Sequence, residues 1–293
     1  MPCPKSPLED EGMVRAFFGW RSRSVLVLIL IGFLGCWGDG ASEVRETHES
    51  PSPTESGDAG RRPGAGRGPG EETLEGRLEK KILERTLEAR RSQGRAPVAW
   101  EDGLAGSARA HSRDMAVRGF WDHVNPDGDG PAERVSAEHR RFVGLVSENI
   151  WKGMGYDTAG ADELATLIVQ SWMKSPGHRR NILKAETTHL GVGIFRRGGE
   201  IHATQVFGEL WAVIDPPLPS QVRRGGEVLV QATGVDRVSP QRFDLAVGRQ
   251  SSSPKALGNV ILDEVPGLYR LRFYFPQGRG FTIVPGPSIE IGS

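Results

Sequence analysis

The hydrophobic pattern of the chain changes its period at a proline-rich stretch, "DPPLPS", which occupies residues 215–220. Before this stretch, apolar residues recur at helical spacing in several segments, and this spacing predicts amphipathic helices. After it, short apolar runs alternate with turn residues and no helical spacing is found, which predicts strands alone. The sequence therefore predicts an α+β region followed by a small all-β, sandwich-like domain.

Three segments of the first region carry the helical pattern, and the sequence predicts helices at 71–91, 102–118 and 162–174. The third is stopped by Ser-Pro-Gly at 175–177, because proline and glycine end helices. His111 lies on the apolar face of the second helix. We expect it to be a hydrogen-bonded core histidine rather than a ligand.

Two strand-like runs within residues 189–213 are joined by Arg-Gly-Gly, which predicts a β-hairpin. Side chains alternate between the two faces of a strand. On the second strand this alternation places His202, Thr204 and Val206 on one face. It places the intervening residues Ile201, Ala203, Gln205 and Phe207 on the other.

The first 36 residues have the layout of a secretory signal, in which a basic stretch precedes a short apolar core at 25–34. That core is shorter than the roughly 20 residues that cross a bilayer. Phe33-Leu34-Gly35-Cys36 resembles a bacterial lipobox, which predicts lipidation of Cys36 and attachment to the membrane. Plain cleavage nearby and a retained anchor helix are the alternatives. The long leader points to Met13 rather than Met1 as the true start.

The composition divides the chain into five parts. Residues 37–70 are rich in Gly, Pro, Ser and acids, and they contain too few apolar groups to offset the entropy of ordering. The predicted order is a signal segment at 1–36, a disordered linker at 37–70, the α+β domain at 71–213, a proline-rich linker at 214–220 and the β-domain at 221–293.

Charge and cysteine content exclude several classes of function. The chain has 37 basic and 37 acidic residues, so no whole-molecule basic field favours nucleic acid. Its only cysteines, Cys3 and Cys36, lie in or before the signal segment. The exported part can therefore form no disulfide, thiolate metal site or cysteine nucleophile, and its stability has to come from packing.

Four histidine- or glutamate-bearing segments stand out in the α+β region: "FWDH", "SENIW", "SPGHRRNIL" and "IHATQVF". In this order and spacing they resemble the CAP superfamily, also called the SCP domain. That family includes cysteine-rich secretory proteins, antigen 5, pathogenesis-related proteins and an exported bacterial branch. The resemblance covers about residues 72–212, and it favours the bacterial branch, which also lacks the disulfides and carries the Ser-Pro-Gly-His-Arg stretch.

The resemblance implies a three-layer α-β-α sandwich around a small antiparallel sheet, with a cleft lined by two histidines and two acids. Carried over by motif, His123, Glu148 and His202 match three of these four positions. The fourth position is usually an acid and is Ser175 here, so we expect His178 to provide the fourth wall of the cleft.

Two imidazoles and one carboxylate are a workable set of ligands for Zn²⁺, with water or His178 completing the coordination. The predicted metal ligands are accordingly His123, Glu148 and His202. The alternative is a buried hydrogen-bonded cluster of the same three side chains, without any cofactor.

The function predicted from these features is that of an exported, monomeric, envelope-associated binding protein. Its cleft would take a divalent cation, a small lipid-like molecule or a protein ligand from the envelope. One alternative is a hydrolase, either metal-dependent or built on Ser175 and His178. A purely structural envelope protein is the other.

Overall fold

The computed structural model describes residues 73–156 and 159–293. The predicted signal segment, Cys36 and the linker at 37–70 lie outside these residues. The helices are α1 Leu74–Ser92, α2 Asp102–Arg118, α3 Pro131–Glu138, α4 Ala161–Lys174 and α5 Pro176–Leu183. Within the described ranges, no helix combines the length and apolar character needed to cross a membrane.

The strands follow in two groups. Those of the first region are β1 Ala99–Trp100, β2 Phe142–Met154, β3 His189–Arg197 and β4 Glu200–Ile214. Those of the second are β5 Gln221–Arg223, β6 Gly226–Val230, β7 Ala232–Gly234, β8 Arg242–Val247, β9 Gln250–Ser251, β10 Lys255–Ala256, β11 Gly258–Leu262, β12 Gly267–Gln277 and β13 Gly280–Gly292.

The three helices predicted from hydrophobic spacing are present as α1, α2 and α4. The Thr73 hydroxyl accepts a hydrogen bond from the Gly76 amide and caps α1 at its start. Gly119 ends α2 in the left-handed conformation, with φ of 70°. The short helix α3 was not predicted. Its start carries Pro131 at the first position and a Glu133 carboxylate that accepts from the Gly130 amide.

The first region has the expected three-layer arrangement. Its sheet has the strand order β1-β3-β4-β2, with β1 parallel to β3 and the other pairs antiparallel. Helices α1, α4 and α5 pack on one face, where Ile201, Ala203 and Phe207 of β4 join their apolar side chains. Val206 of β4 and the apolar side chains of α2 and α3 pack on the other face. The predicted alternation of β4 is therefore correct.

The second region contains strands alone, as predicted. One sheet has the order β10-β8-β12-β13-β5, with β9 beside β8, and a separate pair is formed by β11 and β6. The apolar runs at 281–284 and 289–291 lie in the single strand β13. A register shift between Arg270 and Arg272 lets β12 and β13 stay paired along their length.

One hydrophobic core crosses the predicted boundary between the regions. Strand β7 pairs with β4, so it extends the sheet of the first region. Ala212 and Ile214 of β4 share a buried cluster with Phe273 of β12. Leu218, in the predicted linker at 214–220, belongs to the same cluster and is 2% exposed. In the structure Leu218 therefore belongs to a core that both regions share.

Candidate functional site

The candidate site is centred on the Glu148 carboxylate, whose side chain is 1% exposed in the middle of β2. Its Oε2 atom accepts a hydrogen bond of 2.7 Å from Nη2 of Arg134, which α3 carries. Its Oε1 atom lies 2.8 Å from Nδ1 of His123, in the loop after α2. Arg134 Nη1 also donates to the backbone carbonyls of His123 and Asp129, at 2.8 and 2.7 Å. Arg134 thus holds both the carboxylate and the loop that carries His123.

The hydrogen bonds of Glu148 orient the imidazole of His123. A carboxylate paired with a guanidinium is an acceptor, so Nδ1 of His123 carries the hydrogen that lies between the two groups. The hydrogen bond to Glu148 raises the pKa of His123, and partial burial opposes this rise. Nε2 has no hydrogen-bond partner among the described residues, and the side chain is 45% exposed. In its neutral form, His123 therefore presents the Nε2 lone pair to solvent.

His111 lies behind this pair and is fully buried. Its Nε2 atom is 3.1 Å from the Asp122 carbonyl, which can only accept, so Nε2 carries a hydrogen. The same atom is 3.7 Å from Oε1 of Glu148. Burial lowers the pKa of His111 and favours the neutral ring. The predicted core histidine is thus buried and hydrogen-bonded, and it also belongs to the surroundings of Glu148.

The start of α5 carries His178 and is tied to β2 beside Glu148. Asn181 Nδ2 donates to the Glu148 carbonyl at 3.1 Å and to Oδ1 of Asn149 at 2.9 Å. Asn149 Nδ2 donates in turn to the His178 carbonyl at 3.2 Å. Burial lowers the pKa of His178, and the nearby His123 lowers it further. His178 and His123 are therefore close enough for their charges to interact.

His202 occupies a different environment from the one predicted. Its ring is buried, and Nε2 lies 3.3 Å from Oε2 of Glu200 on the same strand. It faces Trp121, with 6.2 Å between ring centroids, and its Nδ1 atom is buried without a hydrogen-bond partner. The Nζ atom of Lys152 lies over the Trp121 ring, 5.5 Å from its centroid. No hydrogen bond joins His202 to Glu148.

The predicted ligands His123, Glu148 and His202 do not fit a zinc ion in this arrangement. Both oxygens of Glu148 already accept hydrogen bonds, and His202 pairs with Glu200 instead. No group of three or more His, Cys, Asp or Glu side chains within residues 73–156 and 159–293 could hold a metal ion. The physical reason is that Arg134 supplies the positive charge that a cation would otherwise bring to Glu148.

Ser175 connects α4 to α5, and its amide donates to the Trp172 carbonyl at 3.1 Å. In the described part of the chain, no hydrogen bond joins its hydroxyl to His178. A serine nucleophile needs such a bond to its base. The arrangement therefore gives no support to a Ser175–His178 hydrolase.

Sequence reasoning did not identify Arg134, the side chain that organises the site. The sequence did contain a signal for its helix: Gly130-Pro131 followed by Glu133 is a pattern that indicates the start of a helix.

Comparison with known proteins places residues 83–207 in the family model described as "CAP: Cysteine-rich secretory protein family". The uncharacterized protein YkwD of Bacillus subtilis is 34% identical over 131 residues, which cover 45% of this chain and 47% of that protein. The uncharacterized membrane protein YlbC of the same organism is 32% identical over 133 residues, or 45% of this chain and 35% of that protein.

Among solved structures, an extracellular protein containing a SCP domain from Bacillus anthracis matches with 28% identity and a TM-score of 0.39. The match covers 46% of this chain and 41% of that one. The chain therefore spans less than half the length of the curated relatives and of this solved structure.

Proposed function

Because residues 83–207 form a CAP domain of the cysteine-rich secretory protein family, we propose that the protein is an exported, envelope-associated binding protein. Its cleft recognises a small molecule or envelope component through His123. The signal-like segment at 1–36 supports export, and the lipobox-like residues before Cys36 support attachment to a membrane. The family likeness itself is evidence for the domain and not for its ligand.

The observation that supports the binding role is the orientation of His123. A buried ion pair, Arg134–Glu148, holds Nδ1 of the ring, while Nε2 has no partner in the described part of the chain and the side chain is half-exposed. Rigid presentation of one acceptor atom lowers the ordering cost when a ligand binds. A ligand that carries a hydroxyl or amide donor is the chemical match for this atom.

Native mass spectrometry of the full-length protein, recovered from its own cell envelope, tests this role. We expect the wild-type protein to retain a non-covalent adduct that is lost from His123→Ala. His189→Ala is the matched control, because His189 is also a partly buried histidine but contacts Thr188 instead of Glu148. Equal adducts on all three proteins, or none on any, would contradict a binding role for His123.

A divalent cation is the second candidate for the cleft, with His123 and His178, whose charges interact, as its proposed ligands. Two imidazoles can bind Zn²⁺ when water completes the coordination. If a cation binds here, calorimetric titration with Zn²⁺ should lose the site in both His123→Ala and His178→Ala. His202→Ala should keep it, since His202 pairs with Glu200. Loss in His123→Ala and His202→Ala, with the site kept in His178→Ala, would contradict this assignment and favour the ligand set expected from the family resemblance.

A further inference from the structure

The β-region carries a surplus of positive charge. Residues 221–293 contain nine arginines and lysines against six aspartates and glutamates. Three of these acids form ion pairs with basic residues of the same region. Arg237, Arg242 and Arg279 are exposed, and within the described ranges none of them forms an ion pair with a carboxylate. These three arginines are therefore available to an anionic partner.

The three arginines surround the end of the hairpin formed by β12 and β13. Arg279 lies in the turn that joins the two strands. The Cζ atom of Arg242, at the start of β8, lies over the ring of Phe281, 4.5 Å from its centroid. The Cζ atom of Arg237 lies 3.9 Å from the centroid of the Trp211 ring, which packs edge-on against β12. Two of the guanidinium groups are thus held on aromatic rings.

The aromatic rings that hold the arginines lie on opposite faces of the hairpin. Trp211 packs against Phe275, and Phe281 packs against Tyr274, the preceding residue of β12. Successive side chains of a strand point to opposite faces. The arginines therefore flank both faces of the hairpin as well as its turn. A single small anion cannot contact all three, whereas an extended anionic surface can.

Exposed apolar side chains accompany the arginines at this end of the sheet. Val238, which follows Arg237, is 65% exposed, and Phe281 and Ile283 of β13 are 40% and 45% exposed. Large apolar side chains grouped on a surface indicate an interaction site. An anionic bilayer matches this mixture, because its headgroups attract arginines and its acyl boundary accepts apolar groups. An acidic protein would match the arginines but would leave water between itself and the apolar groups.

We propose that this docking surface, formed by residues 235–242 and 274–283, binds the face of an anionic phospholipid bilayer. Each guanidinium donates a pair of N–H bonds to lipid phosphates, and the apolar side chains enter the headgroup layer. Because stacking already orders two of the arginines, less conformational entropy is lost on docking. The inference rests on the proposed envelope association, for which it names the component that the β-region contacts, and it does not involve His123.

Hydrogen–deuterium exchange of the full-length protein tests the proposal, because exchange is measured separately for each segment. Vesicles of phosphatidylglycerol and phosphatidylcholine in equal parts are compared with vesicles of phosphatidylcholine alone. We expect the amides of 235–242 and 274–283 to exchange more slowly with the anionic vesicles only. Poly-L-glutamate and glycerophosphoglycerol, which carry negative charge without a bilayer, should not slow them. Absence of protection with anionic vesicles, or equal protection with any of the other three additives, would overturn the proposal.

Arg279→Gln tests the electrostatic part of the docking surface. It should raise the lipid concentration that gives half-maximal protection about fivefold, the contribution of one arginine near an anionic membrane. Arg249→Gln is the matched control, because Arg249 is also exposed and also follows a glycine of positive φ in a turn between two strands. It lies beyond the opposite end of β8 from Arg242. Equal effects of the two substitutions would contradict a localised surface.

Val238→Ser tests the apolar part and should also weaken the protection. Val265→Ser is its control, since Val265 is likewise 65% exposed but lies outside the docking surface, and it should behave as the wild type does. Wild-type protection in Val238→Ser would overturn the apolar contact. Flotation of the same samples reports attachment through residues 1–36. That attachment can therefore persist when protection of the docking surface is lost, and the reverse also holds.

Discussion

The ion pair between Arg134 and Glu148 determines the state of the site at the level of single residues. Glu148 is 1% exposed and Arg134 is 9% exposed, so both charges are largely removed from water. A buried pair gains little net stability compared with apolar residues, but removal of one partner leaves the other charge uncompensated. Arg134 also donates hydrogen bonds to the carbonyls of His123 and Asp129.

Arg134→Met should therefore destabilise the protein by about 3–5 kcal/mol, as measured by urea unfolding. Adding Glu148→Gln to this variant should recover part of the loss, because the uncompensated charge is then removed. Arg141→Met is the control, since the Arg141–Asp215 pair is largely exposed and should contribute only about 0–1 kcal/mol. Similar losses for Arg134→Met and Arg141→Met would contradict the importance of burial.

The family resemblance of the sequence indicated His123 and Glu148, which the structure joins by a hydrogen bond. It was insufficient for Arg134, because an arginine in a short polar helix looks like a solvated residue until the helix is placed. His202 shows the opposite difficulty. Alternation along β4 indicated the correct face of the sheet for His202. Residues on one face can still lie far apart, and His202 contacts Glu200 and Trp121 instead of Glu148.

At the level of elements, the packing of α2 on the sheet depends on two glycines of β3. A Cβ atom at Gly191 would collide with the backbone of Leu104 and Ala105, and one at Gly193 with the backbone of Ala108 and Arg109. Backbone atoms of a helix and a strand cannot move apart without opening the core between them. The close approach of α2 also brings His111 into reach of Glu148.

Gly191→Ala should consequently lower the free energy of unfolding by more than about 3 kcal/mol, since it forces overlap in a packed interface. Gly106→Ala is the control within α2, because a Cβ there meets nothing within 4 Å. In a helix interior it should stabilise by about 0.5–1 kcal/mol. Thermal or urea unfolding of both variants measures the difference. A mild effect of Gly191→Ala would show that α2 can shift away from the sheet.

The elements that the sequence predicted are those with a strong period. Helices α1, α2 and α4 each present a stripe of buried side chains, and β4 alternates between two covered faces. Helix α3 has only two buried residues, so its apolar stripe is too short to detect. Strand β2 is buried in blocks of three residues separated by exposed ones, and no period of two is visible in it.

At the level of the whole molecule, the two regions of the described residues share one hydrophobic core. Val143 of β2 and Ile214 of β4 belong to the same buried cluster as Phe243 and Phe273 of the β-region. Separation of the two regions would expose these apolar side chains to water. We infer that residues 73–293 unfold together, so that stability measured in one region describes both.

The pH dependence of this shared stability follows from buried and partly buried histidines. Burial lowers the pKa of His111, His178 and His189 below the ordinary value of 6.5, so the unfolded chain takes up protons that the folded chain does not. The free energy of unfolding is therefore not reduced by these groups above pH 6.5, and it decreases as the pH falls below 6.5. His123 has a raised pKa and acts in the opposite direction, stabilising the fold below pH 6.5.

Since three lowered values oppose one raised value, we expect the melting temperature to fall between pH 7.5 and pH 5. Differential scanning calorimetry in buffers of equal ionic strength measures the change. His178→Asn, which removes one of the three groups, should show a smaller fall over the same range. A melting temperature that rises toward pH 5 would mean that the pair His123–Glu148 dominates the proton balance.

Strand β4 belongs to the CAP domain and also pairs with β7 of the β-region. This shared strand limits how either region can be combined with other domains. Domains joined by exposed linkers can be exchanged between genes, because each brings its own core. Here a new C-terminal module would have to supply a cover for Ala212, Ile214 and Leu218 as well as its own fold. We therefore expect the β-region and this CAP domain to change in sequence together.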